Sequence, residues 1–465
     1  MIVVDALRAD ALDIVRSDGS PLRLQGRFGS WLWFERCYAS APWTYPASTS
    51  LLTGADAARH KRWTHGPALT VPSLVGAVPD RRRVAVMNNP VVGSSSGLDD
   101  GFDEYHYIAD PDEFWARSRE ILEARAADRE PYFLWMHSNV VHDYYRPTTR
   151  AHFERHIGPA DAGYFDIRWR VQMWQDISPA QRPVVRRIYD ACVLELDERL
   201  DSLLDLVDLD RTLVVFTADH GEGFDPEPVR IHHGGRMHDD VLRVPFVVHL
   251  PPSVPADVRA RLEAARSSTI GSIDLLPTVL DLLGAPVDAP DGRSLAQAGE
   301  PAGARRVLRA EDGRYLYLAT RLRLNTNMKG KNMSRGARAS NRIWHSTVAR
   351  THSVRAYVDD PYKLIITELR GLAGWLTRAA SGPITRMHIG QPAVTVDGRR
   401  WIGVELFDRD ADPDEQTNLL RTRGDALAAL ELAGSYDAGD TSRSLGSLVQ
   451  RAQKREPALD SSAVG

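Results

Sequence analysis

The chain has 465 residues, 43% of them hydrophobic and 26% charged, with 58 basic against 62 acidic side chains and a net charge of −4. That length exceeds one small domain, and the near-balance of charge gives no field suited to nucleic acid or an anionic membrane. No apolar run reaches the roughly 20 residues that cross a bilayer, and the opening MIVVDALRAD carries neither a basic leader nor a cleavage site. The chain as written is therefore expected to be cytoplasmic, with a missed upstream leader as the alternative. Cys37 and Cys192 lack metal-ligand spacing and are expected to be buried thiols.

Taken in chain order, Ile2–Val4 is a β-branched run ending at Asp5, and ADALDIVRS after it reads as helical. RRRVAVMNNP (81–90) and PYFLWMHSNVVHDYY (131–145) hold apolar runs that end in polar residues. RRIYDACVLELDERLDSLLDLVD (186–208) is a periodic amphipathic helix. LVVF runs into Asp219 and His220, RVPFVVHLP (243–251) is a further strand, and IDLLPTVLDLLGAP (273–286) is a helix closed by glycine. Strands alternating with helices predict a doubly wound, mainly parallel α/β sheet, with the site past the carboxyl ends of its strands. Asp5, Asn89, His142, Asp219 and His220 all fall there. After residues 296–304 the pattern changes to a smaller antiparallel α+β domain, with strands expected in GRYLYLATRL (313–322), SVRAYV, YKLIITEL and RRWIGVELFD. The expected division is 1–300, 305–420 and a helical or disordered tail over 421–465. The basic stretch 325–342 reads as a solvated loop, with a lid over an anionic substrate as the alternative.

Asp219 and His220 place an oxygen and a nitrogen donor at one strand end, and Asp5 adds a carboxylate at another. Such a mixed set suits zinc or manganese; calcium or magnesium would prefer all-oxygen ligation. In APWTYPASTSLLTG (41–54) Pro46 marks a helix start, with Thr44 just ahead of it, facing the positive end of the helix dipole. Metal coordination could turn such a hydroxyl into a nucleophile. Ser48, Thr49, Ser50 and Thr53 fit better as helix and cap residues.

These segments together resemble the sulfatase-like branch of the alkaline phosphatase superfamily. VVDALRAD, APWTYPASTSLLTG, SNVVHDYYRP, FTADHGEGF, HHGG with DDVLRVPFVV, IDLLPTVLDLLGAP with DGRSL, and LFDRDADPDEQTNLL occur in the family's order from residue 2 to about 420. The resemblance implies one divalent metal ion held by Asp5, Asp219 and His220 and completed by Thr44 as nucleophile. It also implies His142 and His233 on the substrate's anionic group or leaving oxygen, with Asn89 a weaker substrate contact. Arg8 and Asp10 are expected to brace the first turn, and His232 or His238 could replace His233. The chain departs from the family where sulfatases carry C/S-x-P-S-R, whose Cys or Ser becomes formylglycine. Here Thr44-Tyr45-Pro46-Ala47-Ser48 aligns, and threonine cannot give that aldehyde. Threonine resembles the phospho-ester branch, so the expectation is a hydrolase of phosphodiesters, phosphonate esters or monoesters. The alternatives are a sulfuric ester hydrolase without formylglycine, a soluble phosphoryl-group transferase, and a metal-free binding protein. A small anionic ester or glycan is the expected substrate, chosen by loops around 55–70, 143–185 and 325–345. Trp43, Trp169 and Trp174 could form an apolar wall there.

Overall fold

The computed structural model describes residues 1–16, 18–62, 72–93, 96–144, 146, 149–160, 163–167, 178–225, 230–231, 233–234, 236–297, 306–312, 352–370, 393–396 and 400–454. His232, Trp169, Trp174, the strand expected at 313–322 and the basic stretch 325–342 lie outside them. The chain divides into two compact units, one formed by 1–234 with 240–304 and the other by 235–239 with 305–465.

The first unit is built on an eight-stranded sheet. Its strands are β1 (Ile2–Val4), β2 (Leu32–Tyr38), β3 (Arg82–Met87), β4 (Glu104–Tyr107), β5 (Tyr132–Ser138), β6 (Val214–Ala218), β9 (Arg243–His249) and β10 (Thr269–Gly271), in the order β10-β2-β9-β6-β1-β5-β3-β4. A short hairpin, β7 (Phe224–Asp225) with β8 (Arg230–Ile231), lies outside it. Every pairing is parallel except those of β9, which runs against β2 and β6. β1 is central and buried along its whole length, as an all-apolar β-branched run should be. The register sets Val4 level with both Ala218 and Ser138. Asp5 and Asp219 therefore leave the sheet side by side, although over 200 residues separate them in sequence.

The helices that bear on the site are α1 (Arg23–Phe28), α2 (Thr44–Thr53), α3 (Ala57–His60), α4 (Pro111–Asp128), α5 (Thr149–His156), α6 (Arg182–Leu204) and α7 (Leu275–Leu282). ADALDIVRS, expected to be helical, forms only a five-residue 3-10 segment, Ala9–Asp13, with no side-chain hydrogen bond capping it at Arg8. The Arg8 guanidinium instead pairs with Asp10 through two bonds of 2.7 and 2.8 Å. Thr44 also differs from its expected place. It is the first residue of α2, not the one before, and Trp43 is the cap. Pro46 then stands third, still within the first turn, where a missing N–H costs no intrahelical bond.

The second unit carries a five-stranded antiparallel sheet in the order β11-β12-β13-β15-β14. These strands span Leu308–Asp312, His352–Asp359, Tyr362–Arg370, Arg400–Asp408 and Ala393–Val396 respectively. Within the expected tail, α8 (Arg423–Asp437) and α9 (Leu445–Lys454) place Leu432, Leu445 and Leu448 in one apolar core with Leu364, Ile366 and Val404 of the sheet. No helix among the described residues is long and apolar enough to cross a membrane.

Candidate metal centre and active site

Asp5, Asp219 and His220 are fully buried at the carboxyl ends of β1 and β6. One ligand atom from each lies within 4.8 Å of the others. The local backbone holds them there. Ala6 takes a left-handed φ of 60°, and its N–H reaches Asp219 Oδ1 at 3.4 Å while its carbonyl accepts the Tyr189 hydroxyl at 2.8 Å. Gly221 packs so closely that a Cβ would stand 2.2 Å from the Asp240 carbonyl oxygen, so only glycine fits.

His220 Nδ1 lies 2.8 Å from the Gly221 carbonyl, which only accepts, so the proton sits on Nδ1. Burial lowers the pKa of this imidazole, leaving it neutral with a bare Nε2. That lone pair faces Asp5 Oδ1 at 3.3 Å and Asp219 Oδ2 at 3.8 Å. Asp5 Oδ1 has no hydrogen-bond partner among the described residues, and Asp219 Oδ2 has only His137 Nε2 beside it, at 3.4 Å. Three acceptors turned on one point repel unless a cation lies between them, so the residues fit a divalent ion. Burial and the neighbouring Asp219 push the Asp5 carboxyl up.

Thr44 completes the group. Its Oγ1 stands 3.3 Å from Asp5 Oδ2 and 3.4 Å from His220 Nε2. Asn89 caps the 3-10 turn after β3 with its side-chain oxygen and donates through Nδ2 to Asp5 Oδ2. Its structural place is thus beside the carboxylate. His142 and His233 complete the cluster, with ring centroids 5.1 Å apart and the His233 ring 4.2 Å from that of His220. Burial and the facing His142 lower the His233 pKa to about 3. His238 belongs to the second unit, where its ring lies 5.5 Å from Phe407.

Sequence reasoning missed His137 and Glu222. His137 is fully buried on β5, with Nε2 3.4 Å from Asp219 Oδ2 and 3.5 Å from Ser48 Oγ. A polar residue inside the apolar run YFLWMHS was the available signal. Glu222 is buried with Oε1 3.4 Å from His233 Nδ1, and only the DHGE context marked it. Elsewhere His156, Glu195 and Glu198 also gather within 4.8 Å. There Arg199 pairs with Glu195 and Arg155 with Glu198, so guanidiniums already neutralise the carboxylates.

The sulfatase family model matches residues 1–285. A low-salt glycan biosynthesis sulfotransferase, Agl7 of Haloferax volcanii, is 26% identical over 306 residues, which is 63% of each protein. An uncharacterized sulfatase, YidJ of Escherichia coli, is 27% identical over 122 residues, 25% of this chain and 22% of that protein. The chain thus covers under two-thirds of the length of each of these curated relatives. Among solved structures, the phosphonate monoester hydrolase of Agrobacterium radiobacter aligns with a TM-score of 0.58 at 17% identity, over 97% of this chain and 95% of that one. BT4656, solved with its substrate D-glucosamine-2-N,6-O-disulfate, aligns with a TM-score of 0.59 at 16% identity, over 98% and 97%. These structures share the fold of this chain, and the family match carries its membership: the chain belongs to the sulfatase family.

Proposed function

We propose that this chain hydrolyses phosphate-type esters (phosphodiesters, phosphonate esters or monoesters) with Thr44 as nucleophile. The observation that carries the reading is the position of Thr44 Oγ1, within 3.4 Å of both Asp5 and His220. A divalent cation of the zinc or manganese class, held by Asp5, Asp219 and His220, would supply Lewis-acid stabilisation of the hydroxyl and of the charge that develops on the ester. Thr44 gives up its proton toward Asp5 Oδ2 and attacks phosphorus, expelling the leaving alcohol on the opposite side. His142 and His233 bind the anionic oxygens, and His142 protonates the leaving oxygen. Water then attacks the same phosphorus and frees Thr44. A threonyl ester cannot collapse to an aldehyde as a formylglycine hydrate does, so a second attack at the central atom is required, and phosphorus accepts it readily.

A second reading is transfer of the group to an acceptor alcohol, or action on a sulfuric ester. The likeness to the sulfotransferase Agl7 favours it. Both readings take a small anionic ester or glycan as substrate, in keeping with the disulfated glucosamine bound by BT4656. The test is turnover of matched aryl phosphodiester, phosphonate and sulfate substrates, with and without an acceptor alcohol. Faster phosphoryl cleavage is expected, with Thr44→Ala inactive and Thr44→Ser retaining part of the rate. Faster sulfate cleavage, or undiminished turnover in Thr44→Ala, would overturn it.

A further inference from the structure

Two imidazoles face one another at the site, and each has a carboxylate behind it. His142 Nδ1 lies 2.9 Å from Asp143 Oδ1. His233 Nδ1 lies 3.4 Å from Glu222 Oε1, a length that catalytic hydrogen bonds often show before substrate closes them. Both carboxylates are buried, Glu222 fully and Asp143 to within 7%. Each carboxylate is itself held. Arg146 pairs with Asp143 Oδ2, and the Gly223 N–H donates to Glu222 Oε1 at 3.1 Å. The Arg8 guanidinium also donates to the Glu222 backbone carbonyl at 3.0 Å, fixing the chain at that point.

We propose that Asp143 and Glu222 are paired positioning residues, each holding the Nδ1 proton of one imidazole so that Nε2 is the atom left for the substrate. The inference rests on His142 and His233 serving the substrate as stated above. A carboxylate accepts the Nδ1–H and stabilises the imidazolium formed when Nε2 gains a proton. Neither carboxylate need touch the substrate. On His142 the proton passes from Nε2 to the leaving oxygen as its bond to phosphorus breaks, and that Nε2 recovers a proton from the water that clears the threonyl ester.

The two supports differ in a way that yields a contrast. In Glu222→Gln the Gly223 N–H keeps an amide oxygen at the Oε1 position, so His233 keeps its acceptor. In Asp143→Asn the Arg146 guanidinium draws the amide oxygen to the Oδ2 position and leaves the NH₂ facing His142. That reverses the His142 tautomer and puts its proton on Nε2. Glu222→Gln is therefore expected to retain more activity than Glu222→Leu. Asp143→Asn and Glu222→Leu should each lose about 10²-fold, the scale of a mispositioned proton-transfer group. The loss should be larger for aryl esters with poorly acidic leaving phenols, with KM and bound metal unchanged. Histidine-selective ¹⁵N NMR of the full chain reads the tautomers without turnover. It should show protonated Nδ1 on both rings in wild type and a bare Nδ1 on His142 in Asp143→Asn. Bare Nδ1 atoms in wild type, or equal kinetics in Asp143→Asn and wild type, would overturn the inference. A wild type inactive on every ester would fell the proposed function alone, and the tautomers would still decide this one.

Discussion

Five aliphatic hydroxyls lie on α2, and their partners distinguish them. Thr49 and Thr53 donate to carbonyls one turn back, at 2.8 and 2.7 Å. Ser50 is shared between Ser40 and His60, and Ser48 lies toward His137. Thr44 alone of the five contacts Asp5 and His220. Buried charge away from the site answers to the same local logic. Glu195 is 3% exposed, with Oε2 3.0 Å from His152 Nδ1 and with Arg199 on its other oxygen. Burial alone would raise its pKa, but His152 and Arg199 outweigh that and lower it from 4.5 to about 2. A depressed carboxyl stabilises the fold above its unfolded pKa and loses that contribution as pH falls through the folded one. Glu195 should thus stabilise the fold at neutral pH. That contribution should fade from pH 4.5 down to about 2. Chemical denaturation across this range should give a flatter pH dependence for Glu195→Gln than for wild type; equal slopes would refute the assignment.

Elements with a strong period or a pure β-branched composition were legible in the sequence, and weaker ones were not. β1, β3, β5, β6, β9 and α6 were readable because each is an apolar run or a sustained amphipathic pattern. β2 escaped because LWFERCY places Glu35 and Arg36 in mid-strand, where the pairing register with β9 shifts between Phe34 and Cys37. β10 has only three residues. In α4 the charged side chains of PDEFWARSREILEARAAD crowd a thin buried stripe of Phe114, Trp115, Ile121 and Leu122, so neither element carries much signal. Asp5, Asp219 and His220 could be found because strand ends mark them. Glu222 and His137 acquire their roles only from partners brought by folding. The segment after β6 also depends on one close approach, which gives a test at this scale. Gly221→Ala must push a methyl group into the Asp240 carbonyl, 2.2 Å away. Relief of that clash should cost roughly 1–3 kcal/mol or more. It should also shift the adjacent His220, lowering bound metal before the fold is lost. Denaturation and metal analysis of the same sample would check this, and wild-type metal content with unchanged stability would exclude the crowding argument.

At the scale of the molecule, the first unit brings acceptors from distant parts of the chain onto one buried point, so ion binding and folding should be coupled. Asp5 Oδ1 faces the bare Nε2 of His220 at 3.3 Å, and Asp219 adds its own charge. A cation that binds only the folded chain stabilises it by RT ln(1 + [L]/Kd), about 2.7 kcal/mol at a hundredfold excess over Kd. Asp5→Asn separates this term from ordinary packing. Its amide oxygen can still accept from Thr44 and Asn89, which both contact Asp5 Oδ2 in wild type. Its NH₂ then stands where Oδ1 was, facing the His220 lone pair, and a repulsion becomes a hydrogen bond. The variant should therefore be at least as stable as chelated wild type, yet gain nothing from added zinc or manganese. Thermal unfolding of both proteins with chelator and with each ion would measure this. An equal ion-dependent shift in Asp5→Asn would show that the cation binds elsewhere, because the substitution removes one of the three acceptors while leaving the surrounding hydrogen bonds in place.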